Sequence, residues 1–119
     1  MGEYNKVILL GNLTRDPDLR YTPTGTPVCE FSLAVHHRYR LHEELKEEVC
    51  FIDVVTFGKM GERAKDFLQK GSQVLVDGRL TQRRWETPEG KSRSKYEVVA
   101  STVQFLDKGT SASTDAEND

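Results

Sequence analysis

The segment from Arg79 to Trp85 reads RLTQRRW. In an extended strand, successive side chains point to opposite faces, so Arg79, Thr81, Arg83 and Trp85 share one side. Two guanidinium groups and the only tryptophan of the chain then stand together. Positive charge beside a flat ring suits a single nucleic-acid strand, whose phosphates seek cations and whose bases stack on rings. Leu80, with Val74, Val76 and Gly78 behind it, falls on the other side, which is expected to be core.

A second segment, CFIDVVTF, carries the same signal. Cys50, Ile52, Val54 and Thr56 form one alternate set, and Phe51, Asp53, Val55 and Phe57 the other. Sealing the second set in an apolar interior would strand the Asp53 carboxylate at a cost of several kcal/mol. That face is therefore expected to be open, with Phe51 and Phe57 as stacking rings. Completion of a core or of a subunit interface is the competing reading for both. Tyr39, in HHRYRLH, is a further stacking candidate, with Arg38 and Arg40 beside it as phosphate ligands. Lys6, Arg20, Lys59, Lys91, Arg93 and Lys95 are further cations for phosphate, although a solvated role serves any single lysine equally well.

Other chemistries find little support. His36, His37 and His42 match no familiar metal spacing, and Asp16 and Asp18 flank Pro17 as turn residues do. No nucleophilic triad order, phosphate-binding loop or dinucleotide fingerprint is present. Neither catalysis, a metal nor a cofactor is expected. Cys29 and Cys50 are the only cysteines and read as small buried hydrophobes rather than a disulfide or ligand pair.

The chain has 119 residues, 36% of them hydrophobic and 30% charged, which suits one globular domain. Its net charge of −2 counts weakly against a polyanion partner, but the last 13 residues hold four of the acids and one base; without them, 16 basic face 15 acidic residues. Affinity for phosphate follows local cations, not the total. No apolar run is long enough for a membrane span. The start MGEYNKVILLGN lacks a signal peptide's plan, so a cytoplasmic location without membrane association is expected.

Strands are predicted at 6–13, 19–21, 28–35, 49–57, 73–86 and 95–106, the third with Cys29, Phe31, Leu33 and Val35 facing inward. The polar stretch 36–48 is expected to be a long mobile hairpin loop. Met60, Ala64, Phe67 and Leu68 recur at helical spacing, with Gly71 as the stop; TPEG is a hairpin turn. Setting the short strand aside, five strands with one helix between the third and fourth predict an all-β protein, a five-stranded Greek-key barrel of the OB-fold type. A small sandwich is the alternative. This domain covers 1–107, and 108–119 forms a short acidic segment expected to be disordered.

The stretches NKVILLGNLTRDPDLRYTPTGTPV, FGKMGERAKDFLQKGSQVLVDGRLTQRRWETPEG and YEVVASTVQFLD together resemble the bacterial single-stranded DNA-binding protein family. The resemblance covers roughly 4–107. It implies a homotetramer of OB-folds that coats single-stranded DNA without strong sequence preference during replication, recombination and repair, in the cytoplasm at the nucleoid. The family's stacking rings fall on Tyr39, Phe51, Phe57 and Trp85, where three of the four are commonly tryptophan. Its basic contacts fall on Lys6, Arg20, Arg40, Lys59, Lys70, Arg83 and Arg84. Many members end in acids followed by an apolar tip that docks replication and repair proteins; here the last residues are DAEND, so recruitment through such a tip is not expected.

Overall fold

A computed structural model describes residues 2–106. The segment 108–119, read as a disordered acidic tail, lies outside the described residues. The elements are β1 (Val7–Leu13), β2 (Asp18–Tyr21), β3 (Pro27–Leu41), β4 (Glu44–Phe57), α1 (Lys59–Phe67), β5 (Gln73–Glu86) and β6 (Ser92–Leu106). Antiparallel pairings join β1 to β5, β5 to β6, β4 to β3 and β3 to β1. A short parallel seam of three residue pairs joins β4 to β6 and closes the ring. The short β2 adds to the outer edge of β3. The result is the expected five-stranded OB barrel, with α1 between its third and fourth strands.

The apolar alternation reads directly as the interior. Cys29, Phe31 and Leu33 of β3, Val54 of β4, Val74 and Val76 of β5 and Val98 of β6 are fully buried. Burial pushes the Cys29 thiol up to about 11, because a thiolate there would lose its hydration. Helix α1 closes one end of the barrel with Ala64, while Gly61 lets the helix come within van der Waals contact of Cys29. Phe67, expected on the inner helical face, is instead exposed and leans on Phe105 with ring centroids 6.1 Å apart. The helix ends before Leu68, whose backbone is extended; Gly71 (φ 93°) serves the turn that follows.

Position Gly78 is needed for a close approach. A Cβ there would collide with the Val99 carbonyl of β6. Beside it the register slips: Asp77 opposes Thr102 and Gly78 opposes Ala100, leaving Ser101 without a partner. This bulge switches the inward-facing set of β6 from Val103 to Ala100 and Val98. Lys95 and Glu97 are thereby turned to the outer side.

The stretch 36–48 is not a loop. β3 runs on to Leu41 and β4 starts at Glu44, paired residue by residue out to Leu41 opposite Glu44. A tip of two residues, His42 (φ 52°) and Glu43 (φ 66°), turns the chain. Positive φ at both positions is the type I′ form of the two-residue hairpin, and its usual Asn-Gly signature is missing, so the polar sequence concealed a ribbon. The β5–β6 hairpin is similar in length, and its turn at 87–90 falls where TPEG placed it. β6 begins at Ser92, three residues earlier than predicted.

Candidate nucleic-acid interface

Residues directly opposite one another in neighbouring strands share a face, so the registers assemble the outer surface row by row. Trp85 opposes Arg93, and Arg83 opposes Lys95. Thr81 opposes Glu97, Glu97 opposes Asp53, and Asp53 opposes Ser32. Arg79 opposes Val99, which pairs with Val55. Phe57 opposes Val28, which in turn opposes Arg20. Phe51 opposes Ala34, and on the same face of the ribbon follow His36, Arg38 and Arg40. One continuous outer face thus gathers Phe51, Phe57, Trp85, Arg20, Arg38, Arg40, Arg79 and Arg83.

The rings on this face are open to solvent: Phe51 is 68% exposed, Phe57 49% and Trp85 45%. The core beneath is complete without them. Among the odd set of β4, Val55 is the exception, buried at 5%. The guanidinium of Arg83 lies 5.8 Å from the centroid of the Trp85 ring, within cation–π range. Trp85 and its cross-strand neighbour Arg93 line an open cleft at the ribbon's end, together with Arg84, Glu86, Ser92 and Ser94.

Two candidates fall elsewhere. Tyr39 opposes Lys46, and its neighbours on that side are His37 and Glu48. It therefore faces away from Phe51, on the continuation of the core-facing side, stacked on His37 at 5.7 Å. Arg84 likewise alternates away from Arg83 and Trp85, and its guanidinium donates to the Gln82 side chain at 2.8 Å. Lys59 opens helix α1 next to Phe57. Lys70 lies in the turn before β5, its backbone N–H bonded to Asp16.

Several of the candidate cations are already partnered. Lys6 pairs with Asp77 at 3.1 Å, Arg20 with Glu30 at 3.3 Å and Arg38 with Glu47 at 3.7 Å. Glu47 also meets His36 Nδ1 at 2.8 Å. Arg40, Lys59, Lys70 and Arg79 form no ion pair among the described residues.

The centre of the face is a polar network that the sequence reading did not assemble. Lys95 Nζ donates to Asp53 at 2.7 Å, and the Ser32 hydroxyl donates to the other oxygen of Asp53. The Lys95 ammonium, then the Ser32 hydroxyl, hold the Asp53 carboxyl below the usual range. Glu97 sits beneath, flanked by Arg83 and Lys95. The signal for Glu97 was its alternation with Lys95 in β6, but the bulge at Ser101 hides which side that pair faces.

The core-facing side does not stay buried over its whole length. Beyond the closed part of the barrel, Leu80 is 41% exposed, and Cys50 is exposed rather than buried. The reason is geometric: the two ribbons rise past the barrel's end, so no opposing sheet covers them. With Val7, Leu9, Val35, Ile52 and Val98 these two residues line an open apolar cleft of about 340 Å³.

The family model described as the single-strand binding protein family matches residues 4–106. A single-stranded DNA-binding protein of Wolinella succinogenes is 46% identical over 110 residues, covering 91% of this chain and 68% of the relative. One from Thermotoga maritima is 46% identical over 109 residues, 91% of this chain and 77% of that protein. One from Treponema pallidum is 47% identical over 106 residues, 89% of this chain and 60% of its own. Against these three the chain spans between 60% and 77% of the relative's length. A solved structure described as a Plasmodium falciparum SSB complex with ssDNA superposes with a TM-score of 0.82 at 28% identity, over 90% of this chain and 98% of that one. With nearly the whole described barrel matched at this level, the chain belongs to the single-strand binding protein family.

Proposed function

We propose that the chain binds single-stranded DNA along the outer face, without strong sequence preference, and shields it during replication, recombination and repair. The observation that carries this reading is Phe51: a phenylalanine 68% exposed on a face that also holds Trp85, Phe57 and the β5 arginines, over a core that does not need it. Bases stack on Phe51, Phe57 and Trp85. Tyr39 joins them only where the strand passes over the edge of the β3–β4 ribbon. Phosphates are met first by Arg40, Lys59, Lys70 and Arg79, which hold no competing carboxylate. Lys6, Arg20, Arg38 and Arg83 contribute less until their own partners yield, and Arg84 acts from the reverse side of its ribbon. No bond is made or broken, in keeping with a family of binding proteins rather than enzymes.

The reading extends to a homotetramer. Residues Val7 to Gly11 of β1 pair with β5 on one side, while β3 reaches only Asn12 and Leu13 on the other. That free edge is flanked by exposed Ile8 and Leu10. Unpaired backbone and apolar side chains at an edge favour strand addition by a second copy. Light scattering on the eluting species measures the copy number, with four expected. The setting is the cytoplasm, at the nucleoid; among the described residues no helix is long and apolar enough to cross a membrane.

Titration of oligo(dT) with Trp85 emission as the signal, at two salt concentrations, tests the reading. Emission is expected to fall on binding, with log affinity dropping by about 0.7 per log unit of salt for each phosphate engaged. Unchanged emission and no retention on oligo(dT) would reject it in favour of a protein-interaction or carbohydrate-binding OB module.

A further inference from the structure

Glu97 Oε1 is the buried side-chain oxygen that accepts no hydrogen bond among the described residues. Its side chain is 9% exposed, with Arg83 Nη2 standing off at 3.8 Å and Lys95 Nζ at 3.9 Å. Attraction persists at those separations, but hydrogen bonding does not. Lys95 is drawn to Asp53 instead, at 2.7 Å. Ser32, Asp53, Lys95, Glu97 and Arg83 thus form a chain across β3, β4, β6 and β5, ending on the Trp85 ring. Two carboxylates and two cations alternate, so the middle of a face built for a polyanion carries no net charge. Such an arrangement is costly to bury, and the barrel core has no use for it.

Building on the single-strand reading, we propose that Asp53 and Glu97 are specificity-determining residues: internal counter-anions that withhold Lys95 and Arg83 from phosphate. A phosphate entering the middle of the face must displace a carboxylate and then lie beside its charge. A nucleobase carries no charge and stacks on Phe51 or Trp85 without disturbing either pair. The strand is therefore led with bases inward over the carboxylate row and phosphates outward over the unpaired cations. The protein then favours strands that have bases over polyanions that lack them, a selectivity that a uniformly basic face does not provide.

The test compares the whole chain with its Asp53→Asn and Glu97→Gln variants. Oligo(dT) and an abasic deoxyribose-phosphate strand of equal length are titrated at several salt concentrations. The wild type is expected to prefer oligo(dT). Each variant should bind the abasic strand about fivefold more tightly than wild type does. Its salt slope on oligo(dT) should steepen by about 0.7, the signature of one more phosphate engaged. A structural role alone would lower the melting temperature and leave slope and preference as they were, and that result overturns the proposal. Asp53 is partly exposed and its replacement nearly isosteric, so Asp53→Asn decides the matter even where Glu97→Gln does not fold. A wild type that ignores oligo(dT) rejects the single-strand reading itself; a wild type that binds, with variants that match it, rejects only this inference.

Discussion

The closed end of the barrel and the two ribbons that rise from it are made of the same strands. In β3, Cys29, Phe31 and Leu33 are sealed, while everything from His36 onward is exposed. In β5, Val74 and Val76 are sealed, while Arg83 and Trp85 are open. One alternating pattern therefore serves two purposes along a single strand. Near the helix it separates core from solvent. Beyond Gly78 and Val35 it separates a ring-bearing outer face from an apolar inner cleft that opens to solvent at Cys50 and Leu80. Exposed aromatic area at the ribbons is what stability alone would not retain.

This contrast sets the size and kind of effect expected at each end. The largest belongs to the closed end: Phe31→Ala empties a fully buried site and should cost about 3–5 kcal/mol of folding stability in urea denaturation. The ribbon equivalents, Trp85→Ala and Phe51→Ala, should each cost about 1–3 kcal/mol of oligo(dT) affinity while moving folding stability by no more than about 0.5 kcal/mol. Unfolding of either ribbon variant would erase the distinction and make those rings part of the core.

Smaller effects sharpen the comparison at the tip and in the middle of the face. Replacing His42 and Glu43 together by Asn and Gly relieves two positive-φ residues and should raise stability by about 1 kcal/mol in the same denaturation assay. Oligo(dT) affinity should stay unchanged unless the tip touches the strand. The smallest effect is electrostatic. The carboxyl of Asp53 titrates lower in the folded protein than in the unfolded chain, so its contribution is complete above the ordinary carboxylate value of about 3.9. It fades as pH falls through the depressed value. Denaturation midpoints of wild type and Asp53→Asn should converge as pH is lowered from about 5 to about 2, since Asn cannot lose what Asp53 loses. Solvent screening of this partly exposed pair keeps the difference small.

Much of this was legible in the sequence because period-two alternation and ring chemistry are local signals. Cys29, Phe31, Leu33, Val74 and Val76 announced the interior, and Phe51 announced itself through the charge at Asp53. What stayed hidden depends on geometry between segments. The ribbon at 36–48 has no turn glycine, so its polarity reads as a loop. Cys50 and Leu80 follow the inward alternation, but burial needs an opposing sheet, and none reaches them. Tyr39 faces away from Phe51 because pairing carries the alternation unbroken along β3, a fact no composition of HHRYRLH reveals. The orientation of Glu97 depends on one unpaired residue, Ser101, whose effect appears only once β5 lies alongside.

The parallel seam is short: Asp53 with Glu97, Val54 with Val98 and Val55 with Val99 are the three pairs by which β4 meets β6. Every other closure of the ring is antiparallel. On the proposed path, a strand of DNA running from Phe51 to Trp85 would pass from the β4 side of this narrow suture to the side of β6 and β5. Cargo bound along that proposed path to the closed barrel alone should make a loaded molecule more stable to denaturation than an empty one, so that release of the nucleic acid and parting of the barrel wall oppose each other.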